Sequence, residues 1–238
     1  MVWAKGAVAL GMAVALGAGT PAWADSLVVR SSGPSAGSYA PGKKLADGGA
    51  LLLKAGDVVT LLDAKGTRTL RGPGRFNVTA AATVAASNVT MAALLDTKRV
   101  RRARTGAVRG ALGDASAVAK RPNLWLVDVA QPGPLCVSDP AAVRLWRADA
   151  KTSATVRISG GGAQGTASFS AGEAMAAWPA ALPVKDGATY RVDADGRSTD
   201  IRFALLGAPA GGIDSTASAL IAHGCQAQLD LLIDTAAR

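Results

Sequence analysis

Cys136 and Cys225 are the only two cysteines in this 238-residue chain, and they are where its chemistry begins. No Cys-x-x-Cys redox pair exists, so the reading is a structural crosslink between the two. An even pair in an exported chain pairs as one disulfide, the alternative being two separate buried thiols. Closing so long a loop contributes about 4–5 kcal/mol on a chain-entropy argument. His223 is the sole histidine, so a Ser-His-Asp hydrolase would have to use it. No Gly-x-Ser-x-Gly elbow supplies a nucleophile for it. A zinc site needs several His or Cys ligands, and one His with two Cys does not provide them. Asp193 and Asp195 lie just before Gly196 in turn chemistry, short of the oxygen ligands of a calcium loop. Asp pairs can cleave glycosides, but nothing in the sequence sets two of them across one cleft. Gly160 to Gly165 matches G-x-G-x-x-G, yet the strand-like Thr166 to Ser170 follows where a phosphate-binding helix would be required. The stretch reads as a hairpin turn. The expectation is therefore no catalytic residue, no metal, no cofactor and no enzyme activity.

Charge points elsewhere. The formal net charge is +9, and Glu173 is the only glutamate. The densest basic run is KRVRRARTGAVR, Lys98 to Arg109, in which Arg99, Arg101, Arg102 and Arg104 are candidate polyanion-binding residues. No aromatic residue is interleaved for base stacking, so nucleic acid is not expected. The alternative is a solvated helix end and linker, since cations suit a helix C-terminus.

The first residues give an address. Met1 to Lys5 carries one positive charge, Gly6 to Ala18 is apolar, and Ala22-Trp23-Ala24 ends in an Ala-x-Ala pattern. That is the form of a secretory signal peptide over 1–24, cleaved after Ala24, which leads to the periplasm. No Cys near the site offers a lipid attachment point. The rest of the chain has no apolar run of about 18 residues, so no transmembrane segment is expected in the mature protein.

Several elements must position these residues. In Leu51 to Val78, short apolar or alternating segments are separated by turn residues. Leu51 to Leu53, Val58 to Leu62, Thr67 to Arg71 and Arg75 to Thr79 predict four strands, with adjacent strands pairing as an antiparallel meander. Leu27 to Arg30 is a further strand. The turns Gly56-Asp57, Gly66-Thr67 and Gly72-Pro73-Gly74 make residues 27–79 resemble the FecR-like β domains of bacterial envelope proteins. Members of that family proper are membrane-spanning sigma-factor regulators. The resemblance implies a small β domain over 25–80.

Beyond it, Ser87 is placed to cap a helix whose apolar face includes Met91, Leu94 and Leu95. Residues 81–122 form this Ala-rich helix and the basic linker. From Asn123 onwards, β patterning with turn signals every eight to twelve residues or so argues a β-sandwich. Leu124 to Val129 is its first strand, and Trp125, Trp146, Trp178 and Tyr190 its expected core. The chain ends in two helices, Thr216 to His223 capped by Ser215 and Gln226 to Ala237, with Leu229, Leu232 and Ile233 on one face. A Cys136–Cys225 bond would clamp this hairpin to the sandwich that spans 123–238. The fold class is mainly β. The expected function is an exported, non-enzymatic module that senses or scaffolds by binding another envelope protein. The alternative is a basic binder of polyanions or of the cell surface.

Overall fold

The computed structural model describes residues 26–63, 66–78, 88–97, 121–207 and 211–237. The expected signal peptide, Ser87, Arg99, Arg101, Arg102, Arg104 and most of the linker lie outside these residues. The chain is mainly β, with several sheets, a β-sandwich and a C-terminal helical hairpin. No helix among the described residues is long and apolar enough to cross a membrane.

The first six strands are β1 (Ser26–Ser32), β2 (Lys44–Leu45), β3 (Ala50–Leu53), β4 (Val58–Asp63), β5 (Gly66–Arg71) and β6 (Gly74–Asn77). They stand close to the expected places, but they do not pair as a meander. One sheet runs β2-β1-β4-β5, and β3 pairs with β6 as a separate ribbon. The registers explain this. Ala50 faces Asn77 and Leu53 faces Gly74, while Val58 faces Arg71 and Asp63 faces Gly66. Residues 50 to 77 are thus one long hairpin with a corner at 54–57 and 72–73, so its two halves enter different sheets. Among neighbouring strands of the expected meander, only β4 and β5 pair.

The corner is built around Asp57, which is 1% exposed. Its carboxylate accepts from the Ser35 amide at 2.8 Å and the Lys54 amide at 2.5 Å. Its carbonyl accepts from the Gly72 amide at 2.9 Å. Burial pushes the carboxyl up. Hydrogen bonds from the Ser35 hydroxyl and amide and the Lys54 amide, with the Lys54 charge, outweigh that, and the net direction is down. Gly33 must be glycine here, because its φ is +101° and a Cβ would sit 2.6 Å from Asp57 Oδ1.

Helix α1 (Asn88–Leu95) follows, with Leu94 buried and Met91 and Leu95 half-buried, as the sequence predicts. Its last carbonyls are capped by the next segment. Asn123 Nδ2 donates to Ala93 O and Asp96 O, the Leu124 amide donates to Leu94 O, and Trp125 Nε1 donates to Leu95 O. This capping keeps Leu124 to Leu126 out of a strand, and only β7 (Val127–Asp128) is extended.

The sandwich has two layers. One is a five-stranded sheet of order β11-β10-β13-β14-β8, from β8 (Gly133–Val137), β10 (Ala154–Gly160), β11 (Ala163–Phe169), β13 (Thr189–Ala194) and β14 (Arg197–Leu205). The other is a three-stranded sheet of order β12-β9-β7, with β9 (Arg144–Trp146) and β12 (Met175–Ala177). The pairs β14–β8 and β7–β9 are parallel. Alternating residues such as Val156, Ile158, Tyr190, Val192, Ile201 and Phe203 fill the space between the layers. Trp178, Tyr190 and Phe203 meet edge to face, with ring centroids 5.3–5.5 Å apart. Trp125 and Trp146 belong to a different core.

That second core surrounds the helices α2 (Ile213–Ala222) and α3 (Gln226–Ala236). The N-cap of α2 is Gly212 rather than Ser215, whose hydroxyl donates back to Gly212 O at 2.8 Å. The core joins Leu27, Val29 and Leu62 of the first sheet to Leu124, Trp125, Cys136 and Trp146, with Leu220, Leu229, Leu232 and Ile233 between them. Strand alternation makes this feasible. Val28 and Leu61 face a separate N-terminal core, while their neighbours Leu27, Val29 and Leu62 face the helices.

Candidate functional site

The helical seam is positioned from its joint outwards. Gly224, with φ at +68°, turns the chain after α2, and the Cys225 amide donates to Leu220 O at 2.8 Å. The turn brings Cys225 to Cys136 in β8, where the expected disulfide closes with a Cα–Cα distance of 5.9 Å. Both residues are fully buried.

One turn along α3, Gln228 makes a second link to the same strand. It is wholly buried, accepts from the Cys136 amide at 2.7 Å, and donates to Cys136 O at 2.7 Å and Leu124 O at 2.8 Å. Its amide thereby replaces a neighbouring strand along the outer edge of β8. The sequence reading passed over Gln228. The available signal was a polar residue on the apolar stripe of Leu229, Leu232 and Ile233.

On the outer side of α3, Arg30 of β1 reaches across the seam. Its Nε donates to Asp230 Oδ1 at 3.1 Å, its terminal nitrogen also bonds Asp230, and Asp234 lies 4.0 Å away. These side chains are roughly half-exposed, so the bridge contributes about 0–1 kcal/mol and mainly sets geometry.

Beside this bridge lies a shallow, open cleft of about 240 Å³ lined by Arg121, Asp128, Trp146, Ala227, Asp230, Leu231 and Asp234. Arg121 is 9% exposed, and its NH1 donates to Leu126 O at 3.1 Å. Burial pushes the Arg121 pKa down and the nearby Asp128 charge pulls it up. The guanidinium stays protonated regardless. Asp128 Oδ1 accepts from the Ala130 amide at 3.0 Å, which fixes that carboxylate against the end of β7. The lining thus combines three carboxylates, of which Asp230 is bonded by Arg30 and Gln226, with the buried Arg121 cation and a wall from Trp146 and Leu231.

The other sequence candidates are dispersed. His223 is exposed at the C-terminal end of α2. Asp193 accepts from the Ser198 hydroxyl in the hairpin between β13 and β14, where Asp195 and Gly196 take positive φ. Gly161 and Gly162 form the turn between β10 and β11, as expected for that glycine run. Among the described residues, no group of three or more His, Cys, Asp or Glu could hold a metal ion. No family model matches the chain, and no curated protein and no solved structure matches it.

Proposed function

We propose that this chain is an exported, periplasmic and non-catalytic interaction module, which senses or scaffolds by binding another envelope protein. The observation that carries the reading is the seam cleft. It is assembled from three distant parts of the chain, with Asp128 and Trp146 from the sandwich, Asp230 and Asp234 from α3, and Arg30 of β1 bridging to the rim. In a protein of net charge +9, it gathers Asp128, Asp230 and Asp234 in one place, against the two cations Arg30 and Arg121. That arrangement suits a basic side chain brought by a partner, because opposed charges steer association and set register. The disulfide agrees with an oxidising compartment, and the FecR-like turn pattern in residues 27–79 agrees with an envelope role.

The test is photocrosslinking in the intact periplasm from a probe at Leu231. The expected result is one protein in near-stoichiometric yield, retained in high salt and lost when Ala227→Trp fills the cleft. The net charge supports a second reading, a polyanion binder using Arg99, Arg101, Arg102 and Arg104. Capture of anionic lipid or polymer alone, released by salt and by Ala at those four positions, would replace the first reading with the second.

A further inference from the structure

We propose that β11 is a self-pairing edge through which two copies of this chain join their five-stranded sheets. The inference concerns a surface other than the seam cleft and stands independently of the proposed function. β11 lies at the open end of its sheet and pairs only with β10, from Ala154 opposite Phe169 to Gly160 opposite Ala163. Gly161 and Gly162 close this hairpin with φ of +59° and +81°, the two-residue turn that follows a hydrogen-bonded pair. Bonded and non-bonded pairs then alternate along the ladder. The backbone groups of Gln164, Thr166 and Ser168 therefore point away from β10. Among the described residues, nothing donates to or accepts from these groups.

The other edges are treated differently. The outer edge of β8 is occupied by the Gln228 amide. At β3, the Tyr39 hydroxyl accepts from the Leu52 amide at 2.9 Å and donates to Leu52 O at 3.2 Å. β2 and β7 have two residues each and β12 has three, too short to template a strand. β5 carries Arg68 and Arg71, and β6 carries Arg75. Short length, charge and side-chain cover are the usual protections of a sheet edge. Among the described residues, β11 has neither short length nor charge, and no side chain bonds its outward backbone groups. Its seven residues, AQGTASF, hold no charge and no proline. Nor is it the rim of an apolar groove. The core side is closed at Gly165, where a Cβ would lie 2.7 Å from Pro179 Cβ.

A second copy fits this edge by its own symmetry. Two antiparallel β11 strands centred on Thr166 place Thr166 opposite Thr166 of the other copy, and Gln164 opposite Ser168. Every outward-pointing backbone group then meets its complement, as a two-fold interface requires. The exposed face gains a Thr–Thr pair flanked by Gln–Ser pairs, which stabilise an antiparallel ladder without opposing like charges. The net charge of +9 on each chain opposes approach at long range. Salt screens that repulsion, so dimerisation strengthens as ionic strength rises. Polyanion binding has the opposite dependence.

The test is sedimentation equilibrium of the purified, disulfide-bonded chain, at low and high salt, with three variants. The expected result is twice the chain mass, with a larger dimer fraction in high salt. Thr166→Pro removes only an outward amide and leaves the bonds to β10, so it yields a monomer with an unchanged far-UV circular-dichroism spectrum. Thr166→Lys and Thr166→Asp are each monomeric alone and recover a mixed dimer when combined, because their charges then face each other across the axis. A wild type that is monomeric at every salt concentration overturns the proposal. So does a dimer that persists in both Thr166→Pro and Thr166→Lys.

Discussion

Gln228 and Asp57 are single polar residues that each hold several backbone groups in place. Gln228 satisfies three buried backbone groups, so Gln228→Leu leaves them unpaired in a space water does not reach. An unsatisfied buried group costs about 1–3 kcal/mol, and the expected loss in urea unfolding is about 3 kcal/mol or more. A loss under about 0.5 kcal/mol, as at an ordinary surface site, would mean these bonds do not form. Asp57 makes its prediction through pH. Its folded pKa lies below the unfolded one, so the carboxylate adds stability above the unfolded value. That contribution fades as pH falls through the folded value. Asp57→Asn should therefore lower stability at neutral pH and flatten the acid limb of the stability profile. An acid limb as steep as wild type's would remove Asp57 from the account. Neither residue was visible in its role from sequence. Gly56-Asp57 reads as turn chemistry, and only the approach of Ser35 from a distant segment shows that the carboxylate is buried.

At the scale of elements, period and turn chemistry located strands well and pairings poorly. Val58 to Leu62, Thr67 to Arg71 and most of Thr166 to Ser170 fall on observed strands because β-branched alternation and glycine turns are local properties. Pairing β3 with β6 depends on the corner around Asp57, which is a long-range contact. Leu124 to Leu126 misled for a related reason. Their apolar run is buried, but against α1 and α3, and the start of the segment caps a helix. Ser215 shows that a capping residue type does not fix a helix start when a glycine upstream takes the position. The disulfide was legible, since two cysteines leave one pairing within the chain. It closes a separation of 89 residues, so the Cys136→Ala/Cys225→Ala variant should lose about 4–5 kcal/mol in urea unfolding. A loss under about 1 kcal/mol would mean that the unfolded chain without the crosslink keeps residual structure that already restrains these segments.

At the scale of the whole molecule, sequence reading divides the chain into a β unit over 25–80, a linker and a sandwich with helices. The buried cluster around α2 and α3 draws on both β units. Leu27, Val29 and Leu62 lie in the same core as Trp125, Cys136 and Trp146. This seam had no local signature, because each strand that builds it alternates as any half-buried strand does. The cleft shares that origin, as Arg121, Asp128, Asp230 and Asp234 are neighbours only once the helices are seated. The central claim is that the C-terminal helices make the two β units one cooperative structure with the cleft at its seam. Native-state hydrogen exchange against urea tests it most directly. The account predicts that the slowest amides of β1 and β4 and those of β10 and β13 converge on one opening free energy and one urea dependence. If β1 and β4 open with a lower free energy and a smaller urea dependence while β10 and β13 stay protected, the two units unfold separately and the claim fails.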